Sequence, residues 1–322
     1  LDFSSGVTVF SESELDIHKN SVSTFLTKHI EKVSKDPDLK SGSFYSDSKF
    51  KKQLSEYLLG NMDFISFSFY IAELMYTEIA KSDIVDPADL IISDVNIDDQ
   101  RFLAILKCNN KVGFTHQVVH SEGKVVNEII NHFAILPNIS QKIDEFVLID
   151  TSLFEIKFSD KKRFVDGMDT YVIPDKILGC SSRISPKKTI DLVQSIARTV
   201  SESHGQSSVV AVSKAKNYLI ENAEISEYLD PVDLGKEVFS SSDIMQEEYI
   251  REIKNAGIPE TVRVDKAFAI RKGKNHKIKT DTGIEILFPV DYFQNKDYIE
   301  FINNPDGTLS IELKNIGKII NK

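Results

Sequence analysis

The sequence predicts an α+β protein: helices packed on an antiparallel sheet, followed by a helical segment and a small C-terminal sheet bearing a basic hairpin. Three observations lead there. Apolar residues recur at three- and four-residue spacing up to Lys81, the period shortens between Asp89 and Phe158, and helical spacing returns from Ser185 to Ala256 before the tail reverts to short strands. The division falls near Gly179, giving an N-terminal α+β domain over 1–180 and a C-terminal part over 181–322.

Residues 1–10 (LDFSSGVTVF) read as a strand end, a turn at Ser4 to Gly6 and a second short strand. Ser13 to Lys35 reads as a helix with Leu15, Val22, Phe25, Leu26, His29, Ile30 and Val33 in one stripe. DPDLKSGSFY is turn chemistry. Asp47 then caps a helix carrying Phe50, Leu54, Tyr57 and Leu58, which Gly60 and Asn61 end. Asp63 to Lys81 is apolar on most faces, so it reads as the central helix of the first half rather than a base-stacking surface.

Leu90–Val95, Phe102–Cys108, Phe114–His120, Val125–Phe133, Phe146–Ile149 and Phe154–Phe158 read as strands of one meander with helices on one face, separated by turns such as Asn109-Asn110 and Glu122-Gly123. Tyr171 to Ile173 with Ile177 and Leu178 reads as an apolar strand ending at Gly179. Ser185 is a good N-cap, Pro186 suits the first helical position, and Ile190, Val193, Ala197 and Val200 share a face. Helices follow from Ser207 to Glu221, Pro231 to Val238 and Asp243 to Ala256. The tail offers strands at Ala267–Ile270, Ile284–Phe288, Tyr298–Asn303 and Thr308–Leu313, with Pro305-Asp306-Gly307 as a hairpin turn.

Taken in order, several segments resemble the bacterial 37-kDa nucleoid-associated protein family (the NdpA family). DFISFSFYIAELMYTEIA is similar to the family's DFLAFS-type helix, and DLIISDVNIDDQRFLAILKCN to the aliphatic strand pair after it. YVIPDKILGCSSRISPKKTIDLVQSIARTV resembles its block of strand, glycine and helix. GIEILFPVDYF and YIEFINNPDGTLSIELKNIG resemble its terminal strands. The chain departs at its start, where the family begins with a short additional strand. The resemblance implies a cytoplasmic protein associated with the bacterial chromosome, without assigned chemistry.

Composition fits a soluble globular protein, with 41% hydrophobic residues and no apolar run near the ~20 residues a membrane span needs. No leader sequence follows Leu1, so the chain reads as cytoplasmic, short of a few native N-terminal residues. Cys108 and Cys180 read as buried thiols, not a disulfide framework or metal site. Net charge is −10, which excludes a protein that coats nucleic acid with its whole surface. The distribution says more than the sum. Glu221 to Glu260 holds eleven acidic residues against Lys236, Arg251 and Lys254, whereas Arg263 to Lys279 holds seven basic residues against Asp265 alone.

That basic block is the leading candidate site. Arg271, Lys272, Lys274, Lys277 and Lys279, grouped with His276 around Gly273, read as a hairpin arm that contacts DNA phosphates without specifying sequence. The acidic block would shield the arm until a duplex displaces it. A second candidate is Lys187 and Lys188 in a helical first turn, with Arg183 just before. Cations there oppose the helix dipole and lack a capping carboxylate, so an outside anion such as a phosphate would complete the site. Lys161, Lys162 and Arg163 form a third basic group.

Catalytic patterns are thin. His116 and His120 sit four apart on a strand, His29 and His132 lie among apolar neighbours, and neither H-E-x-x-H nor a phosphate-cradling glycine loop occurs. Glu155-Ile156-Lys157, with Asp144 or Asp150 upstream, resembles the E-x-K element of metal-dependent nucleases. The reading that follows is non-catalytic, cofactor-free binding of double-stranded DNA in the nucleoid, by a homodimer since doubling a weak site gains avidity. The alternative is an interaction module reaching the nucleoid through chromosome-associated proteins docked on the acidic helices; the nuclease reading comes third.

Overall fold

A computed structural model describes residues 8–83, 85–121, 123–305 and 308–320. The strand–turn–strand reading of 1–7 lies outside them, as do Glu122 and the Asp306-Gly307 turn. The architecture is α+β, in two compact units, Leu1–Arg183 and Ile184–Lys322.

The first unit contains α1 (Asn20–Ser34), β1 (Lys40–Ser43), α2 (Lys49–Leu58), α3 (Phe64–Ile79), β2 (Ala88–Ile97), β3 (Gln100–Asn109), β4 (Lys111–Ser121), β5 (Lys124–Ile135), β6 (Glu145–Asp150), β7 (Glu155–Ser159), β8 (Lys162–Val165) and β9 (Met168–Tyr171). Helix α1 starts later than its apolar stripe suggests, because a turn at Asp16–Lys19 precedes it and leaves Leu15 and Ile17 exposed. Ser48, not Asp47, caps α2, its hydroxyl accepting from Lys51 N at 3.1 Å, and Asp63 caps α3.

Five strands form an antiparallel sheet in the order β1-β7-β6-β3-β2. Both faces are covered, correcting the expectation of helices on one face. Leu103, Ile105, Val147 and Ile149 pack under α2 and α3, whereas Ala104, Leu106, Phe146 and Leu148 pack with Ile30 and Val33 of α1. Double coverage explains why β6 is buried at every position and why its Phe146–Ile149 reads as an unbroken apolar run.

The single meander is also corrected. Among the described residues, strands β4 and β5 pair only with each other, as a long ribbon outside the sheet. The predicted strand from Tyr171 to Leu178 ends at Tyr171, and Ile173–Leu178 is a turn of π-helix. Pro174 has no N–H to give a ladder, and the buried Asp160 carboxylate takes the Ile173 N–H at 2.8 Å instead. Gly179, at φ 60°, closes the turn in the left-handed conformation.

The second unit contains α4 (Pro186–Ser203), α5 (Ser208–Ile225), β10 (Tyr228–Leu229), α6 (Pro231–Val238), α7 (Asp243–Asn255), β11 (Val262–Arg263), α8 (Lys266–Gly273), β12 (Asn275–Lys279), β13 (Glu285–Pro289), a 3-10 turn (Val290–Gln294), β14 (Ile299–Asn303) and β15 (Leu309–Leu313). The cap holds as read: the Ser185 hydroxyl accepts from Lys188 N at 3.2 Å. Ile190, Val193, Ala197 and Val200 join Ala215, Leu219, Leu234 and Tyr249 in one helical core. The tail forms two-stranded ribbons, β12–β13 and β14–β15.

One tail element differs from the reading. Ala267–Ile270 lies in helix α8, because Asp265 caps it by accepting from Phe268 N at 2.8 Å and Phe268 and Ala269 bury in the helical core. Tertiary burial overrides the alternation that suggested a strand.

Candidate nucleic-acid interface

Helix α8 changes the geometry of the basic block. Gly273 is not a hairpin tip; it ends α8 where that helix crosses α5. A Cβ at Gly273 would fall 2.5 Å from Ile220 Cγ1 and 2.9 Å from the Lys216 carbonyl oxygen, so only glycine permits this approach. Arg271 and Lys272 occupy the last turn of α8, where cations complement the dipole, and Lys274 is its C-cap. Lys277 and Lys279 lie two apart on the exposed face of β12, alternating with buried His276.

The close packing gathers further cations. Lys216 of α5 gives a hydrogen bond to the Asn275 carbonyl at 2.9 Å. Burial, then the charges of Lys272 and of Arg198 on α4, hold its ammonium below the ordinary lysine range. Burial, then Lys216 and Arg198, push the His276 imidazole down to about 4, so it is neutral at pH 7 and packs against Phe288 and Phe293. One turn from both Asp191 and Arg198 on α4, the Gln194 side-chain amide nitrogen is buried without a partner.

Carboxylates offset this field only in part. Lys272 pairs with Asp191 at 2.9 Å, and Glu285 serves Lys277 at 2.8 Å and Lys279 at 3.9 Å across the β12–β13 ribbon. Arg271 lies over the Phe268 ring at 5.5 Å. Among the described residues, Arg198, Lys216, Arg271 and Lys274 have no carboxylate within ion-pair distance. Arg198 and Lys216 escaped the sequence reading, being single cations on separate helices; only the α5–α8 crossing joins them to the basic block.

The shielding expectation is corrected. Among the described residues, α7 pairs its Glu248 with His204 and its Glu252 with Arg251, while Glu224 and Glu227 meet Lys266 and Arg263. The acidic block thus neutralises the start of the basic block and leaves α8's end and β12 open. Helix α7 also buries Met245, Tyr249 and Ile253, so it is a core element, not a removable cover.

The other basic groups divide. Arg183 closes the first unit, its N–H bonded to Ser41 O at 2.8 Å and its side chain exposed; Lys187 and Lys188 open the second. Lys161 pairs with Asp144 at 3.2 Å and Lys162 with Asp169 at 2.7 Å. Arg163 is removed from the phosphate-contacting set. Its guanidinium is buried, bonded to Glu145 and, at 3.2 Å, to Asp160. Lys107 completes this buried cluster, 3.0 Å from Glu145.

Among the described residues, no group of His, Cys, Asp or Glu that could hold a metal ion forms around the E-x-K reading. Glu155 and Lys157 point to solvent from β7, Asp150 Oδ1 accepts from the amides of Ser152 and Leu153, and Asp144 faces Lys161. Cys108 and Cys180 are free and buried, which raises both thiols to about 12.

The cations of α4, α5 and α8 are thus crowded and only partly offset by carboxylates. The family described as "Nucleoid-associated protein YejK" matches residues 1–321, essentially the whole sequence. The chain belongs to this nucleoid-associated protein family. No curated protein matches it. The nucleoid-associated assignment covers both units, so it includes the sheet and ribbon of the first as well as the cationic surface of the second. Among the described residues no helix is long and apolar enough to cross a membrane.

Proposed function

We propose that this nucleoid-associated protein binds double-stranded DNA directly, largely without regard to sequence, and without catalysis, through the surface built by Arg198, Lys216, Arg271, Lys272, Lys274, Lys277 and Lys279. The observation that carries the reading is the gathering of Arg198, Lys216 and Lys272 from three helices, closely enough that after burial their charges help lower the Lys216 ammonium, with few carboxylates to offset them. Like charges held together by the fold are relieved when a phosphate chain occupies the surface. The side chains reach phosphates as point charges and forks, contacts that position DNA rather than read it. Arg183, Lys187 and Lys188 remain exposed or half-exposed candidates for further backbone contacts.

The test is binding of purified protein to a random-sequence duplex by fluorescence anisotropy, comparing Arg271→Glu with Lys274→Glu, and Lys28→Glu on α1 as control. The reading expects each of the first two to weaken binding at least tenfold and the control to leave it unchanged. Equal affinities across all three would overturn it. The second reading, association through a protein partner, is favoured by one observation: Lys272, Lys277 and Lys279 already have carboxylate partners. Complete absence of binding by the purified chain is the outcome that selects it.

A further inference from the structure

The β4–β5 ribbon is the largest feature that this reading leaves unused. Its register places Phe114 opposite Asn131, His116 opposite Ile129, Val118 opposite Asn127 and His120 opposite Val125, so these side chains share a face, and alternation brings Phe133 onto it. That face is open: Phe114 is 77% exposed, Ile129 78% and Phe133 68%, with Val118 and Val125 also exposed. Neither strand has more than marginal contact with any other helix or strand. A two-stranded ribbon is marginal in water by itself, and large apolar patches on a soluble chain mark contact surfaces.

We propose that this face is a self-association surface, docking on the same face of a second copy across a two-fold axis. Three observations select that occupant. First, the face carries no charged side chain, and residues 111–135 balance Lys111 and Lys124 against Glu122 and Glu128. A nucleic acid would find nothing to neutralise, whereas two copies of a chain with net charge −10 can meet here without like-charge contact. Second, the face carries Phe114 and Phe133 at its base and, towards its tip, Val118 and Val125 with the His120 ring opposite Val125. An antiparallel two-fold arrangement sets each phenylalanine base over the other copy's valines, the self-complementarity an isologous contact requires. Third, aromatic side chains contribute roughly 150 Å² each and the aliphatic ones somewhat less, so each copy offers on the order of 600 Å². Two copies together reach about 1,200 Å², the lower bound for a specific interface.

The test is light scattering coupled to gel filtration on the full chain, with Phe114→Asp and with Ile129→Cys. The wild type elutes with twice the monomer mass. Phe114→Asp elutes as a monomer with unchanged circular dichroism, because the side chain it replaces is exposed. Ile129→Cys forms a covalent dimer on oxidation; Cys108 and Cys180 are buried and do not compete. A monomeric wild type at every concentration tested overturns the proposal, as does a Phe114→Asp dimer. A higher oligomer that survives Phe114→Asp also overturns it. These readouts are independent of DNA, so their failure leaves the reading of the cationic surface standing.

Discussion

Replacing Glu145 by Gln tests the buried ion cluster of the first unit. Glu145 lies in β6 with its carboxylate between Lys107 Nζ, at 3.0 Å, and the Arg163 guanidinium, and all three side chains are at most 2% exposed. Burial alone would raise the Glu145 carboxyl, but Lys107 and Arg163 outweigh it and hold the group below the usual carboxylate range. At an effective dielectric of 20, each unit-charge pair at this separation is worth about 5–6 kcal/mol before desolvation is subtracted. Glutamine keeps the shape but strands two buried cations with one remaining carboxylate, Asp160. Breaking such a pair from one side costs about 3–5 kcal/mol. For a unit of this size each kcal/mol moves Tm by roughly 2–4 °C, so the variant should melt on the order of 10 °C lower at pH 7. Adding Lys107→Met should return part of the loss, because it removes one stranded charge. Circular dichroism melts of the four proteins in this cycle are the assay. A Glu145→Gln melt within about 2 °C of wild type, or no recovery in the double variant, would refute the reasoning.

Other consequences can be checked the same way. Burial pushes the Asp160 carboxyl up from 3.8 to about 7, so between those values the folded chain holds a proton that the unfolded chain releases. Its contribution to stability is therefore present at low pH and lost as pH rises towards 7, at up to about 1.4 kcal/mol per pH unit. Asp160→Asn should flatten that slope relative to wild type in urea titrations, and parallel slopes would contradict it. The Tyr249 hydroxyl is buried without a partner, so Tyr249→Phe should be neutral or stabilising by about 1 kcal/mol; a loss above that would show a hidden hydrogen bond. Gly273→Val should cost about 1–3 kcal/mol by pushing α8 off α5. It should weaken DNA binding although no charge is removed, and unchanged binding would detach the site from that crossing.

Most helices were legible because their signals are local. Ser185-Pro186 and Asp63 mark starts, and the apolar stripe of α4 needs nothing beyond its own spacing. The strands of the central sheet were legible as apolar runs, but their partners were not. Val125–Phe133 holds five apolar residues of nine and Leu90–Val95 four of six, yet the first lies in an open ribbon and the second in the central sheet. Burial is decided by what packs above and below, which periodicity does not encode. Short β1 read as turn chemistry, and β8 and most of β9 went undetected, because their polar sequences give no run to detect. The basic block was visible as charge, but its shape was not, since helix α8 exists through the Asp265 cap and the burial of Phe268. Arg163 looked like its lysine neighbours, and only the fold shows its charge turned inward.

The most direct test of direct DNA binding is the salt dependence of binding to a random-sequence duplex, measured for wild type and for a Lys272, Lys274 and Lys277 triple alanine variant. Each phosphate neutralised contributes about −0.9 to the slope of log K against log salt. The account predicts a slope equivalent to several phosphates for wild type, smaller by about two to three in the triple variant. A wild-type slope near zero, or one that the triple substitution leaves unchanged, would contradict it.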